Sequence, residues 1–167
     1  MSIVSDREKG ELRIHGVRFA AIDIKEFCRR LDRLVGPIIA AVQVNSLEVL
    51  QGKEDLEAIR KERPDATNKE LIDLLVEMDN VAGFGVTTVK ADDDYSDPIV
   101  LEAFNPFVAA VSGASSAFQT SWWCGAFSSI LGRPLEVRNV TYDVERNLLK
   151  YQLFTRKGYD VEKSKFR

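Results

Sequence analysis

Residues 115–131 form one long helical pattern between two hairpin patterns, and it stops at Gly132, Arg133 and Pro134. Glycine accepts the left-handed conformation that closes a helix, and proline cannot continue its hydrogen-bond ladder. Before this helix, Phe84, Val86, Thr88 and Lys90 begin a strand; an acidic loop over residues 92–94 with Ser96, Asp97 and Pro98 follows, and residues 99–104 return. After it, Leu135, Val137 and Asn139 alternate in one strand and Leu149, Tyr151 and Leu153 in another, with a turn over residues 143–147. No βαβα alternation and no repeat is present. The chain is therefore predicted to be α+β, with an antiparallel sheet packed on helices.

The first half supplies the other helices. Residues 11–22 read as two short strands around Gly16, and Asp23 offers an N-cap oxygen. Ile24, Phe27, Cys28, Leu31, Leu34 and Val35 then recur at helical spacing until Gly36 and Pro37 end the pattern. A second helix is predicted over residues 38–50. It opens on Ile38, Ile39, Ala40, Ala41 and Val42, a run that suggests burial on several sides. Gly52 is expected to break it. Residues 53–63 carry Lys53, Glu54, Asp55, Glu57, Arg60, Lys61, Glu62 and Arg63 and read as a separate solvated helix ended by Pro64. Asn68 is the expected cap of a third helix carrying Leu71, Leu74, Leu75 and Met78. Without a linker, residues 1–167 read as a single domain: strands and helices in 11–80, a hairpin at 83–104, the aromatic helix at 115–131 and a hairpin at 135–155.

A chain of 167 residues can bury roughly two-thirds of its unfolded surface, enough for a core with a cavity inside it. Hydrophobic residues make up 45%, charged residues 29%, and the net charge is −3. That balance gives no basic patch for a nucleic-acid partner. The basic tail over residues 156–167 reads as a solvated end. No apolar run approaches the ~20 residues of a membrane span. The charged N-terminus is unlike a signal peptide, and two cysteines, Cys28 and Cys124, both on apolar helical stripes, suit buried thiols in a reducing cytoplasm.

Catalytic constellations are scarce. His15 is the only histidine, and it sits on a short strand where a structural or exposed role is the plain reading. Glycine-rich phosphate loops, nucleophile elbows and zinc-protease motifs are absent from the sequence. Asp92, Asp93 and Asp94 lack the glycine and distal glutamate of a calcium loop, so they read as a solvated hairpin tip. The informative feature is aromatic: Phe104, Phe107, Phe118, Trp122, Trp123 and Phe127 lie close together. Core packing explains them; so does the lining of an apolar pocket, since bulky rings alternate with Ser116, Ala117, Ser121, Gly125 and Ala126. Two adjacent tryptophans on one helix cannot point at the same place, and each indole N–H wants a partner when buried.

The run Trp123-Cys124-Gly125-Ala126-Phe127-Ser128-Ser129-Ile130-Leu131-Gly132-Arg133-Pro134, followed by a hairpin, resembles the C-terminal motif of the 4-vinyl reductase domain family. That family shares a ligand-binding superfamily with transport-particle subunits and haem nitric-oxide sensors. The resemblance implies a pocket for a small hydrophobic or aromatic molecule and a homodimer. It also implies, for many members, zinc held by three cysteines and a glutamate. Anchored on Gly132-Arg133-Pro134, those positions fall on Ser116, Asn139, Tyr142 and Lys150. None is a good zinc ligand and Lys150 would repel the ion, so zinc is expected to be absent, with Tyr142 and Tyr151 packing the hairpin instead. Haem is not expected either, because His15 lies far in sequence from the haem histidine of the nitric-oxide sensors. The expected function is thus a sensor or carrier that binds its ligand through Phe104, Phe107, Phe118, Trp122, Trp123 and Phe127. The alternative is an assembly subunit like those of transport particles, without a ligand. Direct catalysis is not expected, for want of a cofactor motif or an acid–base pair.

Overall fold

In an antiparallel hairpin each strand sends alternate side chains to one face, so two hairpins with matched alternation can share a core. The computed structural model of the protein describes residues 3–6, 11–14, 17–19, 24–106 and 114–157. Its elements are β1 (Ile3–Asp6), β2 (Glu11–Ile14), β3 (Val17–Phe19), α1 (Ile24–Val35), α2 (Pro37–Glu62), α3 (Asn68–Ala82), β4 (Val86–Lys90), β5 (Ile99–Phe104), α4 (Ala114–Leu131), β6 (Leu135–Asp143) and β7 (Leu148–Thr155). The two expected hairpins join through β5 and β7 into one antiparallel sheet of order β4-β5-β7-β6. Ile99 pairs with Leu153, Leu101 with Tyr151 and Ala103 with Leu149, and all six side chains are buried on one face. The other face is polar: Glu102 there accepts from Lys90 at 2.6 Å and lies 3.3 Å from Lys150. The predicted α+β class, an antiparallel sheet packed on helices, is the observed one.

The N-terminal strands form a second antiparallel sheet, β1-β2-β3, with Ile3 opposite Ile14 and Leu12 opposite Phe19. The strand β1 was not among the expected elements. His15, Gly16 and Asp23 lie outside the described residues.

Two helix expectations are corrected. Residues 38–50 and 53–63 are not separate helices: α2 runs unbroken from Pro37, at its first turn after Gly36, to Glu62. Gly52 does not break it because the backbone of α4 presses on that position. A Cβ there would lie 2.1 Å from the Trp122 carbonyl oxygen, and a Cβ at Gly125 would lie 2.1 Å from the Val49 carbonyl oxygen. Two glycines, one per helix, thus let α2 and α4 cross at backbone contact. Nor is the stretch after Gly52 solvated all round, since Asp55, Leu56 and Ile59 are buried in it. The second correction concerns α3, whose cap is Thr67 and not Asn68. The Thr67 hydroxyl accepts from the Glu70 N–H at 3.3 Å, and the Glu70 carboxylate accepts from the Thr67 N–H at 2.8 Å, a reciprocal pair that satisfies two otherwise orphaned donors.

Helix α4 lies between α2 and the sheet, and its ends are fixed by distant groups. At its start, Asp32 of α1 accepts from the Ala114 N–H at 3.1 Å. At its end, Gly132 takes a positive φ of 64° and Arg133 donates to the Tyr95 carbonyl in the β4–β5 loop. Ser128 bridges onward, donating to the Cys124 carbonyl at 2.6 Å and accepting from the Leu135 N–H at 3.0 Å. The main core gathers α2, α3, α4 and the sheet around Trp123, Phe127 and Tyr151; a smaller one holds Cys28, Ala40, Val44 and Ala114. Each large apolar side chain so buried contributes roughly 1.5–3 kcal/mol. Among the described residues no helix is long and apolar enough to cross a membrane.

Candidate functional site

Residues three and four apart share a helix face, so Gln119, Trp123 and Phe127 look one way from α4 while Ser121, Trp122 and Gly125 look another. The adjacent tryptophans diverge accordingly. The Trp122 indole donates to Asp55 of α2 at 2.7 Å, and the Trp123 indole donates to Asp79 of α3 at 3.2 Å. Their rings meet edge to face at 5.1 Å between centroids, and Trp123 packs on Phe127 at 5.8 Å. Phe118 sits on Phe84 at 5.8 Å. The structure therefore brings Trp122, Trp123 and Phe127 together and gives Phe118 a separate neighbour. Phe104 does not join them. Alternation puts it on the outer face of β5 with Val100 and Glu102, where it is 56% exposed. Phe107 lies outside the described residues.

Beside the aromatic face is a group of buried polar side chains that the sequence reading passed over. Asp79, near the end of α3, accepts from the Thr87 hydroxyl as well as from Trp123. Burial pushes its carboxyl up to about 6, against the lowering effect of those two hydrogen bonds. Asn80 adds an acceptor for the Thr87 N–H at 2.8 Å, which ties the α3–β4 turn down. Gln119 donates to the Phe84 carbonyl at 2.9 Å, but its own carbonyl oxygen is buried without a partner among the described residues. Tyr151, fully buried on β7, has a hydroxyl without a partner among the described residues. Burial, then the nearby Asp79, push that phenol well above its ordinary range. A buried polar atom left unsatisfied costs on the order of 1–3 kcal/mol, so two of them in one core need an explanation. Asp79 thus lies near Thr87, Trp123 and Tyr151, and Gln119 stands one turn before Trp123 on α4, so buried acceptors and hydroxyls flank the aromatic cluster.

The remaining chemistry is muted. Burial pushes the Cys28 and Cys124 thiols up to about 11, far from reactive thiolates, and Cys124 donates to the Leu135 carbonyl at 3.2 Å. Burial, then Asp55, push Glu48 up to about 7. Among the described residues no three His, Cys, Asp or Glu side chains gather to hold a metal. The positions that the resemblance assigns to zinc do not fit it. Asn139 donates to Gln152 at 2.6 Å, the Tyr142 hydroxyl donates to Asn147 at 2.5 Å, and Lys150 sits beside Glu102. A groove of about 580 Å³ between the end of α2 and α3 is lined by Glu62, Arg63, Asp65, Glu70, Asp73 and Glu77, away from the aromatic face.

Asp79 left a signal in the sequence: it follows Ile72 and Leu75 at the spacing of the buried stripe, where a charge is out of place. The orphaned hydroxyl of Tyr151 left none, because a strand tyrosine ordinarily reaches a partner or solvent.

The fold is of the 4-vinyl reductase type and is shared with a ligand-sensing domain. No family model and no curated protein matches the chain. Among solved structures, the phenol-responsive sensory domain of the transcription activator PoxR, with phenol, superposes with a TM-score of 0.73 at 12% identity, covering 98% of this chain and 89% of that one. A vinyl-4-reductase family protein from Methanocaldococcus jannaschii superposes with a TM-score of 0.53 at 15% identity, covering 83% of this chain and 85% of that one. At these identities the likeness is one of fold.

Proposed function

We propose that residues 1–167 act as one small-molecule-binding domain, a cytoplasmic sensor or carrier with an interior site for a hydrophobic or aromatic ligand. The observation that carries the proposal is two buried polar atoms without a partner among the described residues: Tyr151 Oη, in the core that holds Trp123 and Phe127, and Gln119 Oε1, one turn before Trp123 on α4. A bound molecule with one hydroxyl would satisfy an atom that the described residues leave without a partner. The fold shared with a phenol-responsive domain supports the same reading. In it Trp122, Trp123, Phe118 and Phe127 supply apolar wall, Phe107 remains a wall residue and Phe104 drops out. No zinc or haem takes part, the domain binds without catalysis, and it works as a homodimer.

The test uses the purified chain with phenol and with toluene, which lacks the hydroxyl. Ligand at a hundredfold its Kd stabilises the native state by about 2.7 kcal/mol, and at ~2–4 °C per kcal/mol for a chain of this size the melting temperature rises by about 5–10 °C. Tyr151→Phe weakens phenol by roughly tenfold, one hydrogen bond's worth, and leaves toluene unchanged. A chain whose melting temperature moves with neither ligand, and which carries no aromatic adduct in native mass spectrometry, overturns the proposal.

A further inference from the structure

Burial strips water from a carboxylate, so one inside an apolar core ordinarily sits beside a cation. Asp79 is 2% exposed, and no lysine or arginine among the described residues bears on its charge. The elements packed around it account for that. Helix α4, which brings Trp123, has no charged residue. Thr87 of β4 and Tyr151 of β7 turn inward, so strand alternation sends Lys90 and Lys150 to the outer face, where both meet Glu102. Helix α2 turns Asp55 to Trp122 and Arg60 to the Ser129 carbonyl. On α3 itself the one lysine, Lys69, lies at the exposed start of the helix, paired with Asp73. The nearby titratable groups, Tyr151 and Cys124, are held neutral by burial. The hydrogen bonds are one-sided as well. The Thr87 hydroxyl and the Trp123 indole both donate to Asp79 Oδ2, and Oδ1 accepts from no described residue. Tyr151 is near enough to feel the charge of Asp79, yet its hydroxyl bonds to neither carboxyl oxygen.

Resting on the reading of this core as an interior ligand site, we infer that the ligand is an aralkyl ammonium ion, an aromatic ring bearing a positively charged amine, with Asp79 Oδ1 as its counter-ion. An ammonium group has three donors and no acceptor, so it matches a carboxylate oxygen and a phenol that bond to nothing else among the described residues. It also offsets the buried charge. A neutral hydroxyl leaves that charge in place, and a carboxylate ligand would add a second one beside it. The rings of Trp123 and Tyr151 favour the same choice, since a desolvated cation is attracted to aromatic faces. What is new is the ligand's charge and the residue that selects it.

The test titrates the purified full chain with benzylamine, benzyl alcohol and benzoate, each one ring with one polar group, by calorimetry. At pH 7.5 benzylamine, protonated there, binds about tenfold tighter than benzyl alcohol, and benzoate does not bind. Asp79 titrates at about 6, so at pH 5 only about one carboxyl in ten is ionised, and the amine loses about tenfold while the alcohol stays within about twofold. Asp79→Asn, which keeps an acceptor for Trp123, brings the amine down to the alcohol at both pH values. The pH comparison on the wild-type chain decides the matter even if that variant fails to fold. A chain that binds phenol or benzyl alcohol but shows no preference for the amine at pH 7.5 overturns the ammonium assignment and leaves the aromatic ligand site standing. An amine preference that is unchanged at pH 5, or that persists in Asp79→Asn, overturns the role of Asp79. Binding of none of the three probes, with phenol and toluene also failing, overturns both readings.

Discussion

The crossing of α2 and α4 makes a sharp prediction for Gly125→Ala. An added methyl would sit 2.1 Å from the Val49 carbonyl oxygen, 2.8 Å from its carbonyl carbon and 2.9 Å from its Cα. All three are backbone atoms of a helix and cannot swing aside as a side-chain tip would, so the two helices must separate. Overpacking a core by one methyl usually costs about 1–3 kcal/mol, and a clash with backbone belongs at the top of that range. Against it, alanine gains roughly 0.5–1 kcal/mol over glycine inside a helix. The net expectation is a loss of about 2 kcal/mol, which lowers the melting temperature by about 4–8 °C. Gly52→Ala, whose Cβ would meet the Trp122 carbonyl oxygen at 2.1 Å, should cost about as much. The double variant should cost clearly less than the sum, because helices already pushed apart have room for the second methyl. Urea unfolding of the four proteins measures the cycle. A Gly125→Ala chain as stable as the wild type, or more so, would refute backbone contact at this crossing, since propensity alone would then be deciding.

Asp79 predicts a pH dependence of a definite sign. Its folded pKa of about 6 lies above the ordinary 3.8, so the folded state holds the proton more tightly and loses stability as pH rises from about 4 to about 6. At 1.36 kcal/mol per unit the loss is about 3 kcal/mol, and Asp79→Asn, which keeps a carbonyl acceptor for Trp123, should remove it. Denaturant unfolding of both proteins at pH 4 and pH 7 checks this; a wild-type-minus-variant difference that does not change with pH would count against a buried, raised carboxyl. Thr67→Ala dismantles the reciprocal cap of α3 and should cost about 1 kcal/mol by thermal melting, whereas Asn68→Ala should cost clearly less.

What the sequence disclosed and what it withheld divide along one physical line. Period-two alternation and the Gly132-Arg133-Pro134 stop are local signals, and both hairpins and the end of α4 follow from them. The β5–β7 pairing that fuses the hairpins is non-local, yet the two alternating rows, Ile99–Leu101–Ala103 and Leu149–Tyr151–Leu153, leave few other ways to bury both. The site divides in the same way. The contacts among Trp122, Trp123 and Phe127 follow from helical spacing, which alone makes them neighbours, whereas nearness in sequence says nothing about which strand face Phe104 takes. Asp79 and Tyr151 come from α3 and β7, and their nearness depends on how those elements pack, which composition and spacing do not specify. Gly52 makes the point most directly. A glycine in a helical pattern weakens it by about 1 kcal/mol, and by that rule alone the helix should end there. The contact with Gly125 reverses the inference: α2 continues through Gly52 because only glycine lets α4 come that close, and the apolar burial gained along the whole crossing exceeds the local preference lost at one residue.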